Sequence, residues 1–472
     1  MADNLKVQLA VVGAGPAGYP AAFRAADLGM SVALIDQRSA LGGTCLHEGC
    51  IPSKALLHAA LIKNEAKSAS AFGLYFTEPR LDIDALRIWK NGLVGQLSGG
   101  LGMLCKQRAV QFIQGRARFT GPNSILVEQA GEERSVEFDR AIIATGSRPL
   151  EIPGLKTESD RIMTARGVLE LNRVPESMLV IGGGYIGLEL GSVYASLGAR
   201  VSVAEMTDGL LPGADRDLVR ILSRSLEPRF EALMLQTRVA GLTEDNAGLR
   251  AKLISAQGDT VEKSFNSILV AAGRRPATED LGLENTKVKL DDKGFIITDE
   301  RRQTGEPSIF AAGDAAGQPM LAHKAMHEAL ATAEYIATGK GGPFTPRAIP
   351  AVVFTDPEIA WCGLTEDQAR AENQNIKVGR FPWSASGRAK TLHRADGMTK
   401  VIANAESGAI LGLAIAGPGA GDLIAEGVLA VESGVTVETL SRVIHPHPTL
   451  SETVMEAAEA LLGRSVHAAR PR

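Results

Sequence analysis

The stretch Val7-Gln8-Leu9-Ala10-Val11-Val12-Gly13-Ala14-Gly15-Pro16-Ala17-Gly18 decides the fold. A mostly apolar run of strand length feeds three glycines at Gly-x-Gly-x-x-Gly spacing. A helix-forming segment, Ala21 to Leu28, follows and is closed by Gly29. Ser31 to Ile35 is a second apolar strand, ending at Asp36. In such a unit the first glycine makes the tight turn and the second lets the backbone approach a pyrophosphate. The third lets helix and strand pack closely, and the acid accepts from ribose hydroxyls. Gly13, Gly15, Gly18 and Asp36 are therefore candidates to hold a dinucleotide. Pro20 falls near the helix start, where a missing N–H costs little.

The unit recurs. Met178 to Ile181 is a strand, Gly182-Gly183-Gly184-Tyr185-Ile186-Gly187 a second fingerprint, and a helix runs through Leu197 to Gly198. Arg200 to Ala204 is the next strand, and it ends at Glu205. Both fingerprints place the acid 23 residues after the first glycine. One alone could be a Gly-rich turn before an ordinary helix; two with acids at equal offset specify two dinucleotide folds. Arg140 to Thr145 runs into Gly146-Ser147-Arg148-Pro149, and Ser267 to Ala272 into Gly273-Arg274-Arg275-Pro276. These echoes read as crossings between domains. Ile309 to Asp314 is a strand ending in an acid that can face a polyol chain or cap the next helix. From Arg347 onward short alternating strands (Ala351 to Phe354, Thr399 to Ala403, Ile410 to Ala416) mix with helices and carry no nucleotide signature.

The expected fold class is α/β: two Rossmann-like dinucleotide-binding domains plus a C-terminal α+β domain. Expected boundaries are 1–150, 151–275, 276–346 and 347–472. A chain of 472 residues is too long for one core, and 45% hydrophobic with 22% charged residues excludes bulk disorder. Lys plus Arg total 50 against 54 Asp plus Glu, a net charge of -4, which argues against nucleic acid as a partner. No window reaches the roughly 18 apolar residues of a membrane helix, and the N-terminus does not read as a leader, so the cytoplasm is expected. Four cysteines do not make a secreted disulfide framework.

Two of them stand in Gly42-Gly43-Thr44-Cys45-Leu46-His47-Glu48-Gly49-Cys50-Ile51-Pro52-Ser53-Lys54. Pro52 in a first helical turn predicts a helix from Cys50. A helix N-terminus stabilises a thiolate, and Lys54 one turn on adds positive charge. Cys50 should then be the lower-pKa thiol, with Cys45 on looser chain as its exchange partner. Two reduced structural cysteines is the plain alternative. Zinc would need two more soft ligands close by, which Cys105 and Cys362 do not supply. Near the other end, His447-Pro448-Thr449-Leu450-Ser451-Glu452 precedes a final helix. His447 can serve as a base and Glu452 can orient its ring, or the histidine is structural in a Pro-rich turn. His445 reads as structural. No metal site is expected.

In this order, FAD-type fingerprint, Cys-x4-Cys, NAD-type fingerprint, Gly-Asp motif and His-Pro-Thr-x-x-Glu, the whole chain resembles the class I pyridine nucleotide–disulfide oxidoreductases. Met320-Leu321-Ala322-His323-Lys324 is similar to a further signature of that family. The resemblance implies an FAD-binding domain, an NAD-binding domain, a central domain completing the FAD site and a dimerisation domain. It implies FAD and NAD as cofactors and oxidation of protein-bound dihydrolipoyl groups with reduction of NAD+. Its implied partners are a second copy in a homodimer and the lipoyl-bearing acyltransferase components of 2-oxo acid dehydrogenase complexes.

By the same resemblance Cys45 exchanges with the dithiol, Cys50 faces the flavin, and Lys54 lies by the flavin and pairs with Glu189. Gly13, Gly15, Gly18 and Asp36 hold the adenosine half of FAD, with Gly115 and Ala117 near the adenine. Asp314 and Ala322 contact the ribityl chain and flavin. Gly182, Gly184, Gly187 and Glu205 hold NAD, and Gly273 lines the same site. His447 is the base, supplied across the dimer, and Glu452 its partner. Relatives that prefer NADPH hold its 2′-phosphate with arginines where this chain has Glu205, whose charge would repel a phosphate. One departure stands out. Between the cysteines the family usually has Leu-Asn-Val-Gly, and this chain has Leu46-His47-Glu48-Gly49. Glu48 is expected to raise the thiol pKa, and His47 to offset it when protonated.

Overall fold

The computed structural model describes residues 5–152, 154–155, 159–245 and 248–468. β1 (Leu5–Val12) lies in the middle of its sheet, which is why Leu9 to Val12 is continuously apolar and buried, while Lys6 and Gln8 nearer its start are exposed. α1 (Gly18–Asp27) returns the chain to β2 (Val32–Asp36), parallel to β1. The cysteine segment follows as a short helix, α2 (Gly43–Glu48), and a long one, α3 (Cys50–Ser68). α4 (Ile83–Gln107) starts with the Asp82 carboxylate accepting from the Ala85 amide, a standard N-cap. β3 (Gln111–Gln114) extends the parallel sheet beside β2. β4 (Arg116–Gly121), β5 (Ser124–Gln129) and β6 (Glu132–Ile143) form a meander whose last strand runs parallel to β1.

β7 (Ser147–Pro149) is the first crossing. The second unit holds β8 (Ile162–Met163), α5 (Ala165–Leu169), β9 (Ser177–Ile181), α6 (Tyr185–Leu197), β10 (Arg200–Ala204), α7 (Arg216–Leu226) and β11 (Ala232–Met234). A second meander, β12 (Arg238–Asp245), β13 (Gly248–Ile254) and β14 (Thr260–Phe265), leads to β15 (Ser267–Val270). The parallel order is β11-β10-β9-β15-β8. β16 (Arg274–Pro276) then pairs antiparallel with β7, so the two echoing crossings are one ribbon. β17 (Ile309–Ala311) goes back to the first sheet, parallel to β6, and α8 (Ala322–Thr338) packs on α1.

The C-terminal part is an antiparallel sheet in the order β18-β19-β22-β21-β20. Its strands are β18 (Ala351–Val353), β19 (Ile359–Gly363), β20 (Ile376–Pro382), β21 (Met398–Asn404) and β22 (Ile410–Ala416). Its helices are α9 (Glu366–Ala371), α10 (Gly387–Thr391), α11 (Ala420–Glu432), α12 (Val437–Leu440) and α13 (Glu452–Leu461). α11 packs on β19 and β22, and α13 on β20 and β21. Among the described residues no helix is long and apolar enough to cross a membrane.

A buried charge cluster ties this sheet to the second dinucleotide unit. Lys400 on β21 is 1% exposed, and its Nζ lies 2.9 Å from Asp215, 2.6 Å from Asp217 and 2.7 Å from Glu366. Asp215 and Asp217 flank the first residue of α7, while Glu366 opens α9. The three carboxylates could otherwise gather a metal ion, but the ammonium fills their centre. Burial works to raise the Asp217 and Glu366 pKa values; Lys400 and Arg380 outweigh it and hold both below the usual range.

Because these carboxyls are depressed in the folded chain, their contribution is present above the ordinary carboxyl pKa of about 4 and is lost as pH falls through the folded values. Lys400→Ala would leave Asp215 without its cation and Asp217 and Glu366 with arginine partners only. The expected cost is about 3 kcal/mol at neutral pH, read as a lower thermal midpoint. The gap from wild type should narrow on acidification; a constant gap would mean that lost packing, not charge, is responsible.

Candidate active site

One cavity of about 760 Å³ collects most of the expected site residues. Gly13, Gly15, Asp36, Cys45, Cys50, Lys54, Gly115, Ala117, Glu189, Asp314 and Ala322 all line it. Gly18 lies beneath, packing α1 on the first glycine turn. Gly182, Gly184, Gly187, Glu205 and Gly273 are outside that lining; Gly182, Gly184 and Gly187 make a second glycine turn, with Glu205 bound to the Gly183 amide. His447 and Glu452 do not reach the cavity within one chain.

The two cradles are built alike. Gly13 and Gly182 have φ of +105° and +109°, and a Cβ on either would collide with the carbonyl of Ala144 or Ala271 at the end of the neighbouring strand. A Cβ on Gly18 or Gly187 would strike the carbonyl of Gly13 or Gly182. By contrast, a Cβ on Gly184 would meet nothing in the chain, and on Gly15 nothing nearer than the Gly43 Cα at 3.7 Å. That open space above each turn is where a pyrophosphate fits. Asp36 accepts from the Ala14 amide at 2.6 Å and the Arg38 amide at 2.8 Å. Glu205 accepts from the Gly183 amide at 2.6 Å and the Thr207 amide at 2.7 Å. Each acid thus holds its glycine turn and the loop beyond its own strand. These residues fit one dinucleotide per cradle.

The cysteine segment differs from the sequence expectation, first in where Cys45 lies. Cys45 is not on looser chain; it lies in α2, packed through Gly43 against Gly15. Cys50 is the first residue of α3, and both are free thiols. Cys50 opens onto the cavity, so its sulfur is accessible although protein surrounds it. Its pKa is held down to about 7, first by the Cys45 thiol hydrogen-bonded to it and then by Lys54, against burial and Glu189. Cys45 is pushed up by Cys50 and by burial. Lys54 Nζ pairs with Glu189 at 2.8 Å and lies 4.5 Å over the Phe354 ring, while the other Glu189 oxygen accepts from the Phe354 amide at 2.9 Å.

Glu48 is a second correction. Its carboxylate does not stand bare beside the thiols. Arg38 grips it with two bonds of 2.8 Å, and Arg166 reaches it at 3.1 Å. Arg38 first, then Arg166, hold its pKa below the usual range against burial. The His47 ring bonds the Leu41 carbonyl.

The lining residues missed from the sequence include Ser147, Tyr185 and Arg274. Ser147 donates to Asp314 at 2.5 Å, and Arg274 donates to Ser147 at 2.8 Å. Their positions in the two echoing crossings were the available signal. Tyr185, inside the second fingerprint, is pushed up to about 12 by burial. Away from the cavity, His447 Nδ1 is 2.9 Å from Glu452, whose other oxygen accepts from the Thr449 amide at 2.8 Å. The His447 side chain is 79% exposed. His445 is buried against Glu426 at 2.9 Å, in keeping with a structural part.

Residues 7–329 match the family model for pyridine nucleotide-disulphide oxidoreductases, and residues 349–458 match that family's dimerisation domain. The chain is 45% identical over 463 residues to a protein of Vibrio parahaemolyticus named dihydrolipoyl dehydrogenase, covering 98% of this chain and 97% of that one. A Thermus scotoductus protein of the same name is 46% identical over 460 residues, covering 97% and 98%. Among solved structures, LpdA from Mycobacterium tuberculosis superposes with a TM-score of 0.88 at 29% identity, covering 96% of this chain and 100% of that one. The HOCl-induced flavoprotein disulfide reductase RclA of Escherichia coli, solved as a Cu(II) complex, gives 0.86 at 25% identity, covering 96% and 99%.

The duplicated cradles make a differential prediction. Gly13→Ala should yield protein purified without flavin colour. Gly182→Ala should stay yellow but resist bleaching by NADH. Absorbance spectra before and after NADH, with thermal melts as the control for folding, read both outcomes; equal loss of colour in the two variants would contradict separate cradles.

Proposed function

The chain belongs to the pyridine nucleotide-disulphide oxidoreductase family, and from that premise we propose that it oxidises protein-bound dihydrolipoyl groups to the cyclic disulfide and reduces NAD+ to NADH, with FAD as its resident cofactor. The observation that carries this reading is the shared cavity: the cysteine pair and the first dinucleotide cradle line one space, and Lys54–Glu189 joins them to the second unit. Near-full-length similarity to proteins named for this activity selects the substrate.

Bound FAD supplies the two-electron relay between thiol and nicotinamide. The chain's own residues do the rest. In the oxidised enzyme Cys45 and Cys50 form a disulfide. His447 of the partner subunit, its ring turned by Glu452, takes a proton from one substrate thiol. The thiolate attacks Cys45, breaking the Cys45–Cys50 bond and forming a mixed disulfide. The second substrate thiol then displaces Cys45, leaving the product disulfide and two reduced cysteines. Lys54 and the start of α3 favour the Cys50 thiolate that results. Asp36 and the first glycine turn would hold the adenosine half of FAD, with Gly115 and Ala117 on the same side of the cavity. Asp314, fixed by Ser147, and Ala322 would hold its ribityl and flavin part. Gly182, Gly184, Gly187, Glu205 and Gly273 hold NAD, and the Glu205 carboxylate disfavours a 2′-phosphate.

The reading places four units at about 1–150, 151–275, 276–346 and 347–472, the last forming a homodimer. Its natural substrates are lipoyl-bearing acyltransferase components of 2-oxo acid dehydrogenase complexes, in the cytoplasm.

Turnover of dihydrolipoamide with NAD+ should fall by about 10²–10⁴ in His447→Gln and be abolished in Cys45→Ser, with NADH still bleaching the flavin in both. Mixed dimers of the two variants decide where the base comes from. If it comes from the partner, each mixed dimer regains one complete site, and random assortment returns about a quarter of wild-type activity. No recovery would mean a base from the same chain. A wild-type protein bleached by NADH yet inert to dihydrolipoamide would point to another disulfide substrate.

A further inference from the structure

Glu48 and Cys45 stand three residues apart on α2 and so share a face of that helix. The Glu48 carboxylate is only 16% exposed and meets two guanidiniums from different parts of the chain. Arg38 comes from the exit of β2, where its own amide is bound by Asp36. Arg166 comes from α5, whose Val168 and Leu169 lie in the apolar cluster of the second unit with β9 and α6. The buried Lys90 ammonium donates to the Leu169 carbonyl at 2.5 Å and fixes the end of α5. Glu48, Arg38 and Arg166 line the cavity that Cys45 and Cys50 line. Guanidiniums stay charged at any pH the protein meets, so these three residues carry one net positive charge, with the Asp36 carboxylate acting on Arg38 from the β2 side.

We propose that Glu48 is a positioning residue that holds Arg38 and Arg166 on the wall of the cavity that the redox cysteines line, so that the segment between the cysteines favours the thiolate of the reduced enzyme and is tied to the second dinucleotide unit. The inference rests on the reading of Cys45 and Cys50 as the redox pair. The other ionisable groups facing that pair are Lys54 from α3, Tyr185 and Glu189 from α6, and Tyr19 from α1, with Arg274 and Asp314 beyond Tyr185. None of these is altered by a change in the clamp. The sign of the effect is therefore set by the clamp's own charge.

The test is the pH midpoint for alkylation of each cysteine by iodoacetamide in dithiol-reduced holoenzyme, assigned by mass spectrometry. Arg166→Ala leaves the clamp neutral and should move the midpoint up by about half a pH unit. Glu48→Gln keeps one acceptor for Arg38 but leaves both cations uncompensated, and should move it down by a similar amount. The double variant restores the wild-type net charge and should return near the wild-type midpoint. A merely structural role would move both single variants in the same direction, and that result, or no shift in either, overturns the proposal. The readout does not depend on the substrate. Opposite shifts without dihydrolipoamide turnover would keep the clamp and discard the substrate; turnover without shifts would discard the clamp alone.

Discussion

The ion pair between Lys54 and Glu189 is the contact on which the geometry of the site depends. Lys54 is on α3, the helix that Cys50 begins, and Glu189 is on α6, the helix that the second glycine turn begins. Two helix N-termini, one carrying a redox thiol and one a dinucleotide cradle, are pinned together by charges 2.8 Å apart. Glu189 is almost wholly buried, so its charge requires more than one partner, and the Phe354 amide from beside the C-terminal sheet supplies the second. One carboxylate therefore fixes the relative placement of three parts of the chain. A buried acid held this way has no low-energy alternative, which gives the site a rigid frame.

That frame also explains why so much of the chain could be read in advance. Gly18 and Gly187 are required because a Cβ on either would strike the carbonyl of its own turn's first glycine, five residues before. The constraint is local, so it leaves a local mark. The start of α3 at Cys50 was legible for the same reason: Pro52 belongs in a first turn. Longer-range geometry left less. β17 joins the first sheet beside β6, from residues more than a hundred positions away, and nothing in Ile309 to Ala311 names that neighbour. The two meanders consist of strands that alternate buried and exposed residues, without a chemical signature.

Electrostatic partners were the least legible part. Glu48 read alone is an anion beside two thiols, and the expectation that it opposes their ionisation is sound physics for a bare charge. The structure shows that the charge is not bare: Arg38, ten residues before, and Arg166, far beyond, pair with it. Lys400 is similar: inside an apolar strand it looks misplaced until the carboxylates of Asp215, Asp217 and Glu366 surround it. A sequence states which charges exist but not which of them meet, and the sign of a local field follows from the meeting.

His447 poses the complementary problem. Its ring is oriented by Glu452, and Glu452 by the Thr449 amide, so the pair is prepared for proton transfer, yet it faces solvent and does not line the cysteine cavity of its own chain. A base fixed so carefully and left with nothing to act on is incomplete within one copy. On the proposed reading, two-fold pairing of the C-terminal domains brings each His447 to the other chain's Cys45, one symmetric contact completing two sites. The cysteines, the cradles and the frame that aligns them belong to one chain, whereas the proton acceptor belongs to the assembly. Dissociation would then remove the base while leaving both cradles and the Lys54–Glu189 pair intact, so loss of thiol exchange without loss of flavin reduction by NADH is the behaviour that this division of labour entails.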